Sequence, residues 1–395
     1  MTKFLNWCKI NDDVLSLLRL FPSGVAMSAR VSVKPEIIQW AVRNSDMSED
    51  DIYKKFPWTC DDQPNPTILQ LQKFARTARI PYFNLLTGEI PKDREVPIPD
   101  FRTIGGKKVS QPSLNLLDIL HIMRQRQEWM RDYLLSEGAD PLGFIGSIEK
   151  TGTNPKAAAE KIRQDLNLEK DWQTASKTWE TAYSALWEAV ENAGIMLFQE
   201  SGLDTSQRKR FKVEEFRGFV LSDPYAPLIF INSADAKNAR MFTLAHEIAH
   251  LWMDETGLFD FTTETVANKI AAELLVPEDS FREAWKKNQD LGALSHKFKV
   301  STIVIMRRAW DCGLISDSDF LSFFQEQQDK FEEKKNSGGN FYLTRNCNLS
   351  TNFVAALIAS ADSGRTLYRD AYQLLGMSGD TYHKFASRWK RGEFK

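Results

Sequence analysis

The sequence has little cysteine, little histidine, almost no net charge and no long apolar run. Its four cysteines, Cys8, Cys60, Cys312 and Cys347, stand far apart, and none belongs to a CxxC pair. That argues against a disulfide framework or a thiolate metal site and fits reduced thiols in the cytoplasm. The formal net charge is −2. Nucleic-acid binding by the chain as a whole therefore has no electrostatic support, and only a local basic patch could supply it. No stretch of about 18 apolar residues occurs, so no transmembrane helix is expected. The N-terminal run MTKFLNWCKINDDVLSLLRLF is broken by Asp12, Asp13 and Arg19 and lacks the apolar core of a signal peptide. A soluble cytoplasmic protein with no membrane partner is expected.

Core-forming material is ample. Hydrophobic residues make up 42% of the chain and aromatic residues 11%, including 11 Trp, which argues against disorder. At roughly 100–200 residues per domain, the length suggests about two to four domains.

Residues 1–30 read as an arm. Helical spacing then begins in PEIIQWAVRNS (35–45), MSEDDIYKKF (47–56, with Ser48 as N-cap) and PTILQLQKFARTARIP (66–81). These helices suggest a small bundle over 1–90. Residues 91–112, rich in Pro, Gly and charge, read as a linker. Helices are expected over 113–136, 155–165 and about 172–192. The apolar runs IMLFQ (195–199), FRGFVLS (216–222) and PLIFINS (227–233) read as strands. Helical patterns resume at 235–253 and 262–276 and dominate to about 334. The second domain is set at 113–330, with a helical module at about 291–330. A strand-like FYLT (341–344) and two or three helices suggest a small C-terminal domain over 340–395.

The sharpest signal is LAHEIAHLW (244–252). Two histidines four apart on a helix share one face, one turn apart. At that spacing His246 and His250 can both reach one zinc ion. Glu247 is then beside the metal rather than on it, where a carboxylate can take a proton from an activated water. A catalytic site needs a third protein ligand and an open position. The downstream candidates are Asp254, Glu255, Asp260, Glu264 and Glu273. Asp254 and Glu255 follow His250 too closely to fold back easily. Glu264 opens the next helix, and Asn268, four residues on, shares its face and can hydrogen-bond a ligand histidine. Glu273 lies nine residues from Glu264, half a turn away, so the two cannot face one metal. Glu264 is the preferred ligand. Tyr225 is a guess for an oxyanion donor.

HEIAHLW followed by ETVANKIAAELLVP (264–277) resembles the ImmA/IrrE-type metallopeptidases. Their pattern is HExxH and then, after a short spacer, E-x-x-A-N-x-x-A-A-x-L-L-x-P. The resemblance implies that His246, His250 and Glu264 bind zinc, with Glu247 as general base. It also implies a preceding sheet and a helical segment after the proline, which LGALSHKFKVSTIVIMRRAWDCGLIS (291–316) fits. That segment resembles a small helix-turn-helix-like module. VKPEIIQWAVRNSDMSEDDIYKKF and PTILQLQKFARTARIPYFNLL resemble phage-repressor (XRE-type) helix-turn-helix sequences. Where a recognition helix should sit, PWTCDDQPN (57–65) instead carries Asp61 and Asp62 and no arginine.

The expected fold is α+β, mostly helical: a small helical N-terminal bundle plus a zincin-like domain with a small sheet and an HExxH helix. The expected function is a zinc-dependent endopeptidase that cleaves a regulatory protein such as a repressor or antitoxin. The alternative is a DNA-binding or toxin–antitoxin regulator whose metal site is structural or switch-like. DNA, through the N-terminal module, is a second candidate partner, and a repressor-like module is compatible with a homodimer. His121, His296 and His383 read as surface or satisfied core residues, and RKRFKV (208–213) as a solvated basic cluster.

Overall fold

The three apolar runs between 195 and 233 carry apolar residues at both alternating positions, as expected of strands buried on both faces. In the computed structural model they form β1 (Met196–Glu200), β2 (Gly218–Leu221) and β3 (Leu228–Asn232). The sheet order is β1-β3-β2, with β1 parallel and β2 antiparallel to β3. The structure describes residues 30–43, 45, 47–78, 82–88, 112–149, 152–203, 210–254, 261–332 and 349–393. The arm, most of the linker, FYLT (341–344), Glu255 and Asp260 lie outside the described residues.

Contacts divide the chain into two units, Met1–Glu95 and Val96–Lys395. The first holds α1 (Pro35–Arg43), α2 (Glu49–Lys55), α3 (Ile68–Ala78) and α4 (Tyr82–Thr87) around Ile37, Ile38, Ile52, Leu71, Phe74 and Leu85. The Ser48 hydroxyl accepts from Asp51 N at 3.2 Å and starts α2 as its spacing predicts. Residues 57–65 contain the 3-10 turn Pro57–Cys60 and no α-helix. Trp58 packs edge-on against Phe74 at 5.2 Å and fixes that turn to the bundle.

The second unit begins with α5 (Leu114–Ser136), α6 (Pro155–Asp165) and α7 (Trp179–Asn192). After the sheet come α8 (Lys237–Trp252), α9 (Phe261–Leu275), α10 (Glu278–Lys287), α11 (Leu291–Phe298), α12 (Thr302–Asp311) and α13 (Asp317–Glu332). The last helices are α14 (Thr351–Asp362), α15 (Tyr368–Leu375) and α16 (Gly379–Lys390). The class is α+β and mostly helical. The helix expected over 172–192 is split. Trp172–Ala175 forms a 3-10 turn, Ser176 turns extended, and Thr178 opens α7 with a capping box to Thr181.

Alternation along the strands sends side chains into two cores. Leu197, Val220, Ile229 and Ile231 face α6–α12. Met196, Phe198, Phe219, Leu221, Leu228 and Phe230 face α5 and α14–α16. Residues 349–393, read from the sequence as a separate small domain, thus share a core with the sheet. Buried Glu191 helps to fix them there. Its carboxylate accepts from Leu197 N at 2.9 Å and from Asn352 N, in the first turn of α14, at 3.1 Å. Among the described residues no helix is long and apolar enough to cross a membrane.

Candidate metal centre

The site is built on α8, and its neighbours fix that helix at both ends. At the N-terminal end no side chain caps it. Instead the Arg240 guanidinium donates to the carbonyls of Ser233, at 2.6 Å, and Asp235. The fully buried Asn232 amide donates to Phe216 O at 2.9 Å and ties the end of β3 to the entry of β2. At the C-terminal end Trp252 is fully buried, stacks on Phe144 at 4.4 Å and donates from Nε1 to Asp165 at 2.7 Å. The one-turn spacing then brings His246 and His250 together, with their Nε2 atoms 3.0 Å apart.

Helix α9 packs along α8 through Ala267, Ile270, Ala271 and Leu274, all buried in the shared core. That packing carries Glu264 to the histidines. Its carboxylate lies 3.3 Å from His246 Nε2 and 3.9 Å from His250 Nε2. Tetrahedral ligands about 2.0–2.2 Å from one centre sit roughly 3.3–3.6 Å apart, and the three separations here straddle that span. Two imidazole nitrogens and one carboxylate oxygen, mutually within 4.8 Å, form a donor set that suits zinc.

The electrostatics separate the roles of these side chains. Burial and the neighbouring His246 hold His250 well below the usual histidine range, favouring the neutral imidazole a metal requires. For His246, burial opposes the charge, but Glu264, Glu247 and Asn268 outweigh it and raise the pKa. Burial pushes the Glu247 carboxyl up to about 8, with His246 pulling it down and Glu264 adding to the rise. Glu247 is only 5% exposed, and its Oε2 is buried without a hydrogen-bond partner. A buried carboxyl raised to that value, at the wall of a cavity, suits proton transfer near neutral pH.

The cavity has a volume of about 380 Å³ and is lined by His246, Glu247, Glu264 and Asn268 together with residues from β2, α8, α9 and α12. The other sequence candidates lie elsewhere. Asp254 follows α8 in a left-handed conformation and accepts from the Ser222 hydroxyl at 2.6 Å. Glu273 forms a buried ion pair with Arg308 on α12. Tyr225 is not a lining residue; its backbone N–H donates to Asp223 in the β2–β3 turn. His121 and His383 are exposed and hydrogen-bonded to Gln125 and Tyr372.

Gly218 was missed. A Cβ there would meet Glu247 Oε1 at 2.8 Å, Phe230 O at 2.9 Å and Glu247 Cγ at 3.0 Å. The absent side chain lets β2 press directly against the carboxylate. A glycine inside a strand pattern often marks such a close approach, and FRGFVLS carried that signal. Gly218→Ala is expected to displace the Glu247 carboxylate and to slow any reaction that needs it as a proton carrier by about 10²-fold, while the set of metal ligands is kept. Parallel zinc and rate measurements check this, and a wild-type rate would contradict it.

Residues 190–309 match a family model, Peptidase_M78, described as the IrrE N-terminal-like domain. The span runs from the last turn of α7 to α12 and includes the sheet, His246, Glu247, His250 and Glu264. Residues 349–388, in α14–α16, match a second model described as a domain of unknown function (DUF8813). Neither span includes the first unit. No curated protein matches the chain. The part of the chain that carries the site is therefore similar to a peptidase domain of the IrrE type.

Proposed function

We propose that the chain is a zinc-dependent endopeptidase that cleaves a regulatory protein of the repressor or antitoxin kind. One observation carries this reading: His246, His250 and Glu264 converge from two helices beside a buried carboxyl, Glu247, at the wall of a cavity. His246, His250 and Glu264 would hold the metal. Bound zinc supplies Lewis-acid polarisation of water and of the scissile carbonyl. Glu247 takes one proton of the attacking water and delivers it to the departing nitrogen; the C–N bond breaks to leave a neutral amine and a carboxylic acid, which then gives its remaining proton to solvent and departs as a carboxylate. Asn268 stands beside His246 on the cavity wall and would help to hold that ring in place. Strand β2 is an outer strand of the described sheet and reaches the cavity through Arg217 and Gly218. An extended peptide can pair with such an edge.

The test uses an extract of the cells that make the protein. Purified chain should generate new protein N-termini that vanish with a chelator, return with zinc and are absent with Glu247→Gln. The same termini from Glu247→Gln would overturn the reading.

A further inference from the structure

The helical module after the motif helices has so far only a structural place. Four of the residues lining the cavity, Ile303, Val304, Arg307 and Asp311, lie on α12, and Ser301 caps that helix. They face Ala239, Phe242 and Thr243 on α8 and Ala272 on α9. Each helix contributes one continuous face: 239, 242, 243 and 246 on α8; 264, 268 and 272 on α9; 303, 304, 307 and 311 on α12. The spacing is that of successive helical turns. From His246 to Ala239 the trough runs roughly 10 Å along α8, at about 1.5 Å per residue. Three cations (Arg217, Lys269, Arg307) and three acids (Glu247, Glu264, Asp311) line it, so charge favours neither sign. The wall beyond the histidines is mainly apolar. Phe242, Ile303 and Val304 there are half-buried rather than sealed in the core.

We propose that this trough is a specificity pocket for one large apolar side chain, leucine, methionine or phenylalanine, next to the scissile bond, and that α12 forms its outer wall. The inference rests on the peptidase reading above. Its occupant follows from two features: an apolar lining beyond His246 and continuity with Glu247 at one end. The helix-turn-helix-like module is then part of the substrate cleft.

The test is a cleavage-site profile on a mixed library of proteome-derived peptides, with the zinc-loaded full chain. Wild type should favour Leu, Met or Phe at one position flanking the cut, by roughly 10- to 200-fold over alanine. Val304→Trp fills the trough and should shift that position to Gly, Ala or Ser while zinc content and Tm stay near wild type. Ile303→Ala, which only removes atoms, should weaken the preference several-fold and serves if the tryptophan variant misfolds. An unchanged profile in a folded variant, or a wild-type profile set by a charged residue, overturns the pocket but leaves the peptidase. A zinc-loaded wild type that cuts no peptide overturns both.

Discussion

Glu247→Gln is expected to lower peptide cleavage by about 10²- to 10⁴-fold, the usual contribution of a positioned general base, with zinc content unchanged. The substitution keeps the shape of the side chain and removes its capacity to take a proton. Its neighbours make the variant interpretable. Gly218 lies so close to the carboxylate that even a methyl group there would meet it, so an isosteric amide is the smallest available change. Glu247 stands outside the set of converging ligand atoms, so metal affinity should survive. Rates on the peptides that wild type cuts, taken beside metal content, decide the matter. Loss of zinc together with activity would make Glu247 a ligand or a structural group and remove its role as base.

Glu273→Ala is expected to destabilise the second unit by about 3–5 kcal/mol, the cost of leaving a buried charge without its partner. Arg308 is 7% exposed and Glu273 4%. The carboxylate pairs with the guanidinium and also accepts from Glu278 N at 3.2 Å. Arg163, likewise buried, donates to the Glu273 carbonyl at 3.1 Å. These contacts join α9, which carries Glu264, to α12, which walls the cavity. Urea denaturation of wild type, Glu273→Ala and the double variant Glu273→Leu with Arg308→Met measures the effect. The double variant should recover much of the loss, because it removes both charges together. A loss below about 1 kcal/mol in Glu273→Ala would show the pair to be solvated in solution.

The convergence of His246, His250 and Glu264 was legible because helical periodicity alone puts the histidines on one face and because the family resemblance singles out the glutamate that opens the next helix. The strands were legible because both of their faces are buried, which leaves continuous apolar runs. The half-turn argument also separated Glu273 from Glu264 correctly, although nothing in the sequence pointed to Arg308 as its partner. What escaped depends on contacts between distant segments. Gly218 matters through a carboxylate that lies 29 positions on. Helix α12 reaches the cavity through contacts with distant segments, among them the Arg308–Glu273 pair with α9. The helices after residue 349 read as a separate domain because local patterning does not reveal that Phe353 and Leu357 pack into the core on the Phe198 side of the sheet. Ser176 split a helix whose periodicity ran through it, because the Thr178–Thr181 capping box offers a better start.

The central claim is that His246, His250 and Glu264 hold one metal ion. Its most direct test is the zinc content of the purified full chain beside His250→Ala and Glu264→Ala, each after equal reconstitution and gel filtration. The account predicts about one zinc per wild-type chain and a clear loss in both variants, with folding checked by circular dichroism. Wild-type zinc in both folded variants, or none in the reconstituted wild type, would contradict it.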